Sequence, residues 1–283
     1  MSYNDCLLRR GINFDVMSQI NLPATPGSDV VGFITKVGEK VRHYKVGDRV
    51  AALVRTGGNA RYISVPATNL VQVPRSCDTA EAACMISTYM TAYQSLRMGT
   101  KKNAFALNGK KVLITGGIEP VGQALIQLCF RAGAEEVYAT APAHRHKYVK
   151  SVLGAHPLPV QPEDWLPTTK GLMDIVFDGT CQDSLESPYA SLKDDGVLVC
   201  VGMTALLNRE EPGVFGAPIS AYWAKLKGQL MSNTKRYEVW DSFNSNKEAY
   251  KVCFLFLTSS TLSHYEYRLL TFTNFSTLSR NLA

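Results

Sequence analysis

The sequence predicts an α/β protein in which a doubly wound parallel sheet is joined to a small β-barrel domain. Two stretches carry this reading. Within residues 109–141, Val112, Leu113 and Ile114 form a short apolar run that ends in glycines. Val121, Leu125 and Leu128 then recur at helical spacing, and Gly133 stops that helix before a second run, Val137 to Ala139. Strand, glycine turn, helix and strand in this order make a βαβ unit. Between residues 23 and 50, glycines at 27, 32, 38 and 47 instead separate short strands rich in Val and Ile, the pattern of a small barrel. A chain of 283 residues has room for both domains, each with a full core.

Taken in order, Ser2 to Gly11 reads like the middle of a domain, with no leading strand before it. Residues 60–74 add a strand and a turn to the barrel. Asp78 is placed to cap a helix that leads through an Ala-rich segment into Thr91, Ala92 and Tyr93. The glycine turn follows. Gly117 and Gly122 hold the first and last positions of a G-x-G-x-x-G turn, where small residues let the backbone approach a pyrophosphate at a helix amino terminus. Pro120 suits the first turn of that helix, and Val121 continues it. Glu119 occupies the middle glycine's place, and a carboxylate there repels phosphate unless it turns outward. A nucleotide-free version of the same unit is the alternative.

After the second strand, a carboxylate would mark a site for the ribose hydroxyls of NADH. The segment reads Ala139, Thr140, Ala141, Pro142, Ala143, His144, Arg145, His146, Lys147, without an acid. Arg145, His146 and Lys147 are cations suited to a 2′-phosphate, which favours NADPH; as exposed residues opening the next helix they would need no ligand. Gly154, Ala155 and His156 end that helix, and a Pro-rich loop follows. Asp174 to Asp178 is the fourth strand of the sheet, with Thr180 at its cofactor end; Asp178 there is open to reading as a catalytic acid or as a residue that caps a turn or braces the loop. Gly196 to Gly202 is the fifth, its carboxyl end (Val201, Gly202 and Met203) directed at the nicotinamide. Leu226 to Met231 is expected as a sixth strand, residues 204–217 as a loop over the site, and residues 247–257 as a helix.

Pro26-Gly27-Ser28-Asp29-Val30-Val31-Gly32, Val46-Gly47-Asp48-Arg49-Val50 and Thr91-Ala92-Tyr93, followed by the glycine turn, resemble the medium-chain dehydrogenase/reductase superfamily over residues 3 to 257. Within it, the chain is most similar to the zinc-free quinone oxidoreductase and enoyl reductase branch. The resemblance implies a GroES-like barrel domain at residues 1–95, a Rossmann domain at 96–240 and a C-terminal helix with an atypical tail at 241–283. It also implies missing strands at both chain ends, a homodimer paired through the sixth strand, and Thr91 beside the nicotinamide, with a plain packing role as the alternative for Thr91. Ser2, Ser28 and Ser87 stand where zinc-dependent members carry ligands, and residues 51–61 contain no cysteine, so no metal is expected.

The implied activity is hydride transfer from NADPH to a quinone or an α,β-unsaturated carbonyl, which needs no metal. A donor must still stabilise negative charge on the substrate oxygen. Some relatives place a Tyr after the glycine matching Gly11; here Ile12, Asn13 and Phe14 follow, so Tyr3, Asn13 and Tyr89 are the candidate substitutes. The rival reading is a non-enzymatic scaffold or nucleotide-responsive protein. Charge is mildly basic, 30 Lys and Arg against 24 Asp and Glu, and spread without runs, so no nucleic-acid partner is indicated. Seven scattered cysteines without a C-x-x-C pair suggest a reduced, cytoplasmic protein, with Cys129 and Cys200 as buried small hydrophobes. No apolar stretch is long enough to span a membrane.

Overall fold

A computed structural model describes residues 2–10, 23–100, 107–183, 185–202 and 236–239. A short helix α1 (Tyr3–Arg9) precedes three antiparallel strands in the order β1 (Asp29–Phe33), β2 (Arg49–Leu53), β3 (Val71–Gln72). These are the strands of the expected barrel seen among the described residues. Helix α2 (Thr79–Gly99) follows and runs through the expected domain boundary at residues 95 and 96. It contacts both β1 and β2 and the second sheet: Ser87 bonds Asp29 of β1, while Gly99 at its end packs against Ile175 and Phe177.

That sheet has the order β6 (His156–Leu158), β5 (Glu136–Thr140), β4 (Lys111–Thr115), β7 (Met173–Asp178), β8 (Leu192–Cys200), β9 (Arg236–Val239), and every neighbouring pair is parallel. Val112, Leu113 and Ile114 are wholly buried, as the central strand of a sheet covered on both faces demands. Helices α3 (Pro120–Arg131) and α4 (His146–Ser151) share one core with α2, built on Leu125, Ile126, Val149 and Phe177. Helices α5 (Pro162–Thr169) and α6 (Glu186–Ala190) cover the opposite face, where Trp165 packs with Leu113, Val176 and Leu198. Helices on both faces make the sheet doubly wound, and its strand order reverses direction between β4 and β7. Ligands of such sheets bind outside the carboxyl ends of the strands at that reversal.

One expectation is corrected here. Residues 156–158, read as the close of a helix and the start of a loop, form the edge strand β6. Pro157 is tolerated there because an edge strand needs to donate to only one side. The strand beside β8 is Arg236–Val239; residues 226–231, where a sixth strand was expected, lie outside the described residues, as do 204–217 and 247–283.

The expected cap of α2 is present: Asp78 Oδ1 accepts from the backbone N–H groups of Ala80 at 2.8 Å and Glu81 at 3.1 Å. Asp78→Ala should therefore cost about 1 kcal/mol of stability. Urea denaturation checks this, and an unchanged midpoint would mean that the cap carries no net energy.

Candidate functional site

The carboxyl ends of β4, β7 and β8 are pinned together by one buried residue, Asp178, through its side chain and its backbone carbonyl. Asp178 Oδ1 accepts from Thr115 Oγ1, from Thr180 N at 3.1 Å and Oγ1 at 3.2 Å, and from Cys181 N at 3.1 Å. Its backbone carbonyl accepts from Val201 N at 2.8 Å and Gly202 N at 3.2 Å. Full burial pushes the Asp178 carboxyl above its usual pKa, although these bonds pull the other way. The bonds also hold Cys181 at a φ of 52°, a left-handed conformation that is costly for a non-glycine residue. Asp178 therefore organises the rim of the crevice, in keeping with a brace.

The glycine turn forms the other wall. Gly116 N donates to Thr140 Oγ1 at 2.9 Å, and Gly117 N to the Thr140 carbonyl at 2.9 Å, so buried Thr140 ties the turn to β5. A Cβ on Gly117 would stand 2.6 Å from that of Ala139, and one on Gly122 2.2 Å from the Gly116 carbonyl oxygen. Close packing, then, requires both glycines. Pro120 is the first residue of α3 and offers no N–H, which leaves the N–H groups of Val121 and Gly122 as the donors at its amino terminus. Glu119 precedes them without capping the helix. Its carboxyl group folds inward: a Cβ on Gly116 would lie 3.3 Å from both Glu119 Cδ and Thr180 Cγ2.

Beyond β5, Arg145 and Lys147 are exposed on the segment that opens α4. His146 is partly committed, its Nε2 lying 2.9 Å from the Ala141 carbonyl oxygen. Thr91 is buried on α2 and donates its hydroxyl to the Ser87 carbonyl at 2.6 Å. Tyr89 donates to Gln127 Oε1 on α3 at 2.6 Å, so that hydroxyl braces the two helices. Val201 and Gly202 are half-buried just past β8. Tyr3 lies in α1, whereas Asn13 and Met203 fall outside the described residues.

Two groupings carried no motif. On the α5 side of the reversal, a cleft of about 200 Å³, open mouth included, is lined by Thr115, Val160, Trp165, Thr180 and Asp183. Trp165 Nε1 and Asp183 Oδ1 are buried there without a hydrogen-bond partner among the described residues. The second is the pairing of Asp29 with Ser87, at 3.0 Å and 3.1 Å, whose only trace in the sequence is the acid of Pro-Gly-x-Asp. Among the described residues, no group of three or more His, Cys, Asp or Glu side chains is placed to hold a metal ion, and no helix is long and apolar enough to cross a membrane.

Residues 1–75 match the family model described as "Alcohol dehydrogenase GroES-like domain", and residues 120–244 the one described as "Zinc-binding dehydrogenase". The human "Synaptic vesicle membrane protein VAT-1 homolog" is 31% identical over 213 residues, 74% of this chain and 52% of the relative. This chain spans about half the length of the VAT-1 homologs of human, rat and mouse that it matches. Among solved structures, the quinone oxidoreductase from Coxiella burnetii superposes with a TM-score of 0.70 at 23% identity, covering 91% of this chain and 75% of that one. A mycobacterial protein solved with NADPH gives a TM-score of 0.69 at 23% identity, covering 94% and 78%. With the GroES-like and Rossmann-like parts adjoining in one chain and serines at the three ligand positions, this protein belongs to the zinc-free branch of the medium-chain dehydrogenase/reductase superfamily, oxidoreductases that include quinone oxidoreductases and enoyl reductases.

Proposed function

We propose that the protein is an NADPH-dependent, metal-independent reductase of quinones or α,β-unsaturated carbonyls. The observation that carries this is the crevice at the strand reversal, with a glycine turn and the start of α3 on one side and the pinned ends of β7 and β8 on the other. The donors fit the cofactor: Val121 and Gly122 N–H groups toward the pyrophosphate, and Arg145 and Lys147 toward the 2′-phosphate. Thr180 lies on the rim of the same crevice, while Thr91, Val201 and Gly202 take the nicotinamide end. The inward Glu119 is the single misfit and must swing aside when phosphate enters. When bound, NADPH supplies a hydride; the chain's own residues orient it, exclude water and stabilise charge on the acceptor. Tyr3, Asn13 and Tyr89 remain substitute donors to test, and pairing along the sixth-strand edge would give a homodimer. A reduced, cytoplasmic setting is consistent with this chemistry.

Glu119 also favours a second reading, a nucleotide-responsive or scaffold protein that has lost turnover. Titrating NADPH against intrinsic tryptophan fluorescence, then adding a quinone, separates the two. Binding at micromolar concentration with quinone-dependent NADPH oxidation is the expected result. Binding without oxidation supports a nucleotide-responsive protein, and no binding at millimolar NADPH leaves a scaffold.

A further inference from the structure

The glycine turn is held in place by its own backbone and by one side chain. In the peptide that joins Ile118 to Glu119, the Glu119 N–H donates to the Gly116 carbonyl at 3.0 Å, and the Ile118 carbonyl accepts from Gln123 Nε2 at 2.7 Å. Both polar groups of that peptide are therefore spent on fixing its plane. Gln123 stands on α3, one helical turn after Glu119, and its own N–H donates to the Glu119 carbonyl at 2.9 Å. The Ile118 N–H, by contrast, has no hydrogen-bond partner among the described residues.

The far side of the Gln123 amide is held in turn. Tyr148 on α4, three residues after Arg145, donates its hydroxyl to Gln123 Oε1 at 2.9 Å. Its ring is half-buried against the core that α2, α3 and α4 share. Burial keeps the Tyr148 hydroxyl above its usual pKa despite the neighbouring Arg145 charge, so it stays a donor near neutral pH. A reversed amide would set Gln123 Oε1 against the Ile118 carbonyl oxygen, two acceptors with no proton between them. The phenol and the carbonyl together thus decide which way the amide faces. This chain of bonds starts beside the cations that open α4 and ends in the turn that a pyrophosphate must approach.

A turn left loose would have to be ordered as the phosphates arrive, at a cost in backbone entropy that affinity loses. We infer that Gln123, oriented by Tyr148, is the positioning residue of the pyrophosphate turn: it presets the 118–119 peptide, and with it the unspent Ile118 N–H, before a nucleotide binds. This rests on the reading of the crevice as a nucleotide site, and it assigns the work to two residues outside the glycine motif.

The test compares two nucleotides that share adenosine. Adenosine diphosphate carries a pyrophosphate and adenosine 2′-monophosphate does not; each is titrated calorimetrically into the full chain. Tyr148→Phe removes one oxygen and keeps the ring, and should weaken binding of the diphosphate about threefold. Gln123→Met is similar in length but makes neither bond, and should weaken it about tenfold. Neither substitution should change affinity for the 2′-monophosphate by more than about twofold, because its phosphate is met by Arg145 and Lys147. Residues that only hold α4 in place would weaken both ligands together, and that result overturns the inference, as does an unchanged affinity for the diphosphate in both variants. Tyr148→Phe alone decides the matter if Gln123→Met fails to fold. Should the wild type bind neither nucleotide, the inference and the reductase reading fall together. With the stated pattern but no quinone-dependent NADPH oxidation, the positioning role stands and the reductase reading goes; NADPH oxidation with a diphosphate affinity indifferent to both substitutions gives the reverse.

Discussion

Glu119→Gly should tighten NADPH binding about tenfold, because it removes an anion from the wall that a pyrophosphate must approach. The half-buried carboxyl group and the Thr180 methyl each lie 3.3 Å from where a Cβ on Gly116 would stand, so the side chain turns toward the glycine turn. Two unit charges about 5 Å apart repel by roughly 1 to 3 kcal/mol between water-like and surface-like dielectrics, and swinging the side chain aside recovers part of that. Glu119 makes no side-chain cap bond to α3, and glycine is an acceptable residue at that position. Glu119→Gln separates charge from bulk: if it alone reproduces the gain, repulsion is the cause, and if only glycine does, the obstruction is steric. Raising salt should shrink the difference between wild type and Glu119→Gly, since the crevice is open to ions. Equal dissociation constants for wild type and both variants would mean that bound phosphates never meet this side chain.

How much of this was legible in the sequence depends on how local the cause is. The β4–turn–α3–β5 unit was readable nearly to its ends, because a buried central strand must be an unbroken apolar run and Val112, Leu113 and Ile114 are wholly buried. Asp78 was readable as a cap for the same reason, its partners being two and three residues away. Strand β6 was not: three residues with a central proline carry no alternation, and pairing with β5 decides the matter. Asp178 could be read as a brace, but its partner Thr115 is 63 positions away and follows only from the sheet order. The same holds for Tyr89, whose hydroxyl meets Gln127 across 38 positions, and for Asp29 and Ser87, across 58. Glu119 marked itself as an exception to its motif, yet its direction depends on a side-chain rotamer that the neighbours, not the motif, select.

Replacing Arg145 and Lys147 together by alanine should cut the preference for NADPH over NADH about a hundredfold, with most of the loss in NADPH affinity and NADH left nearly unchanged. The segment after β5 contains no acid to receive ribose hydroxyls, so the preference has to come from cations around the 2′-phosphate. Arg145 and Lys147 are the exposed ones, whereas the His146 ring already contacts the Ala141 carbonyl and is less available. A hydrogen bond to a charged group contributes about 1.5 to 3 kcal/mol, and exposure puts each of these at the lower end, so two together reach roughly a hundredfold. Arg145 should account for the larger share, because its planar fork holds two phosphate oxygens where Lys147 offers a single mobile charge. Fluorescence titration of both cofactors with the single and double variants checks this. A preference that survives the double substitution would move the 2′-phosphate away from the end of β5, and with it the physical reason for choosing NADPH at all.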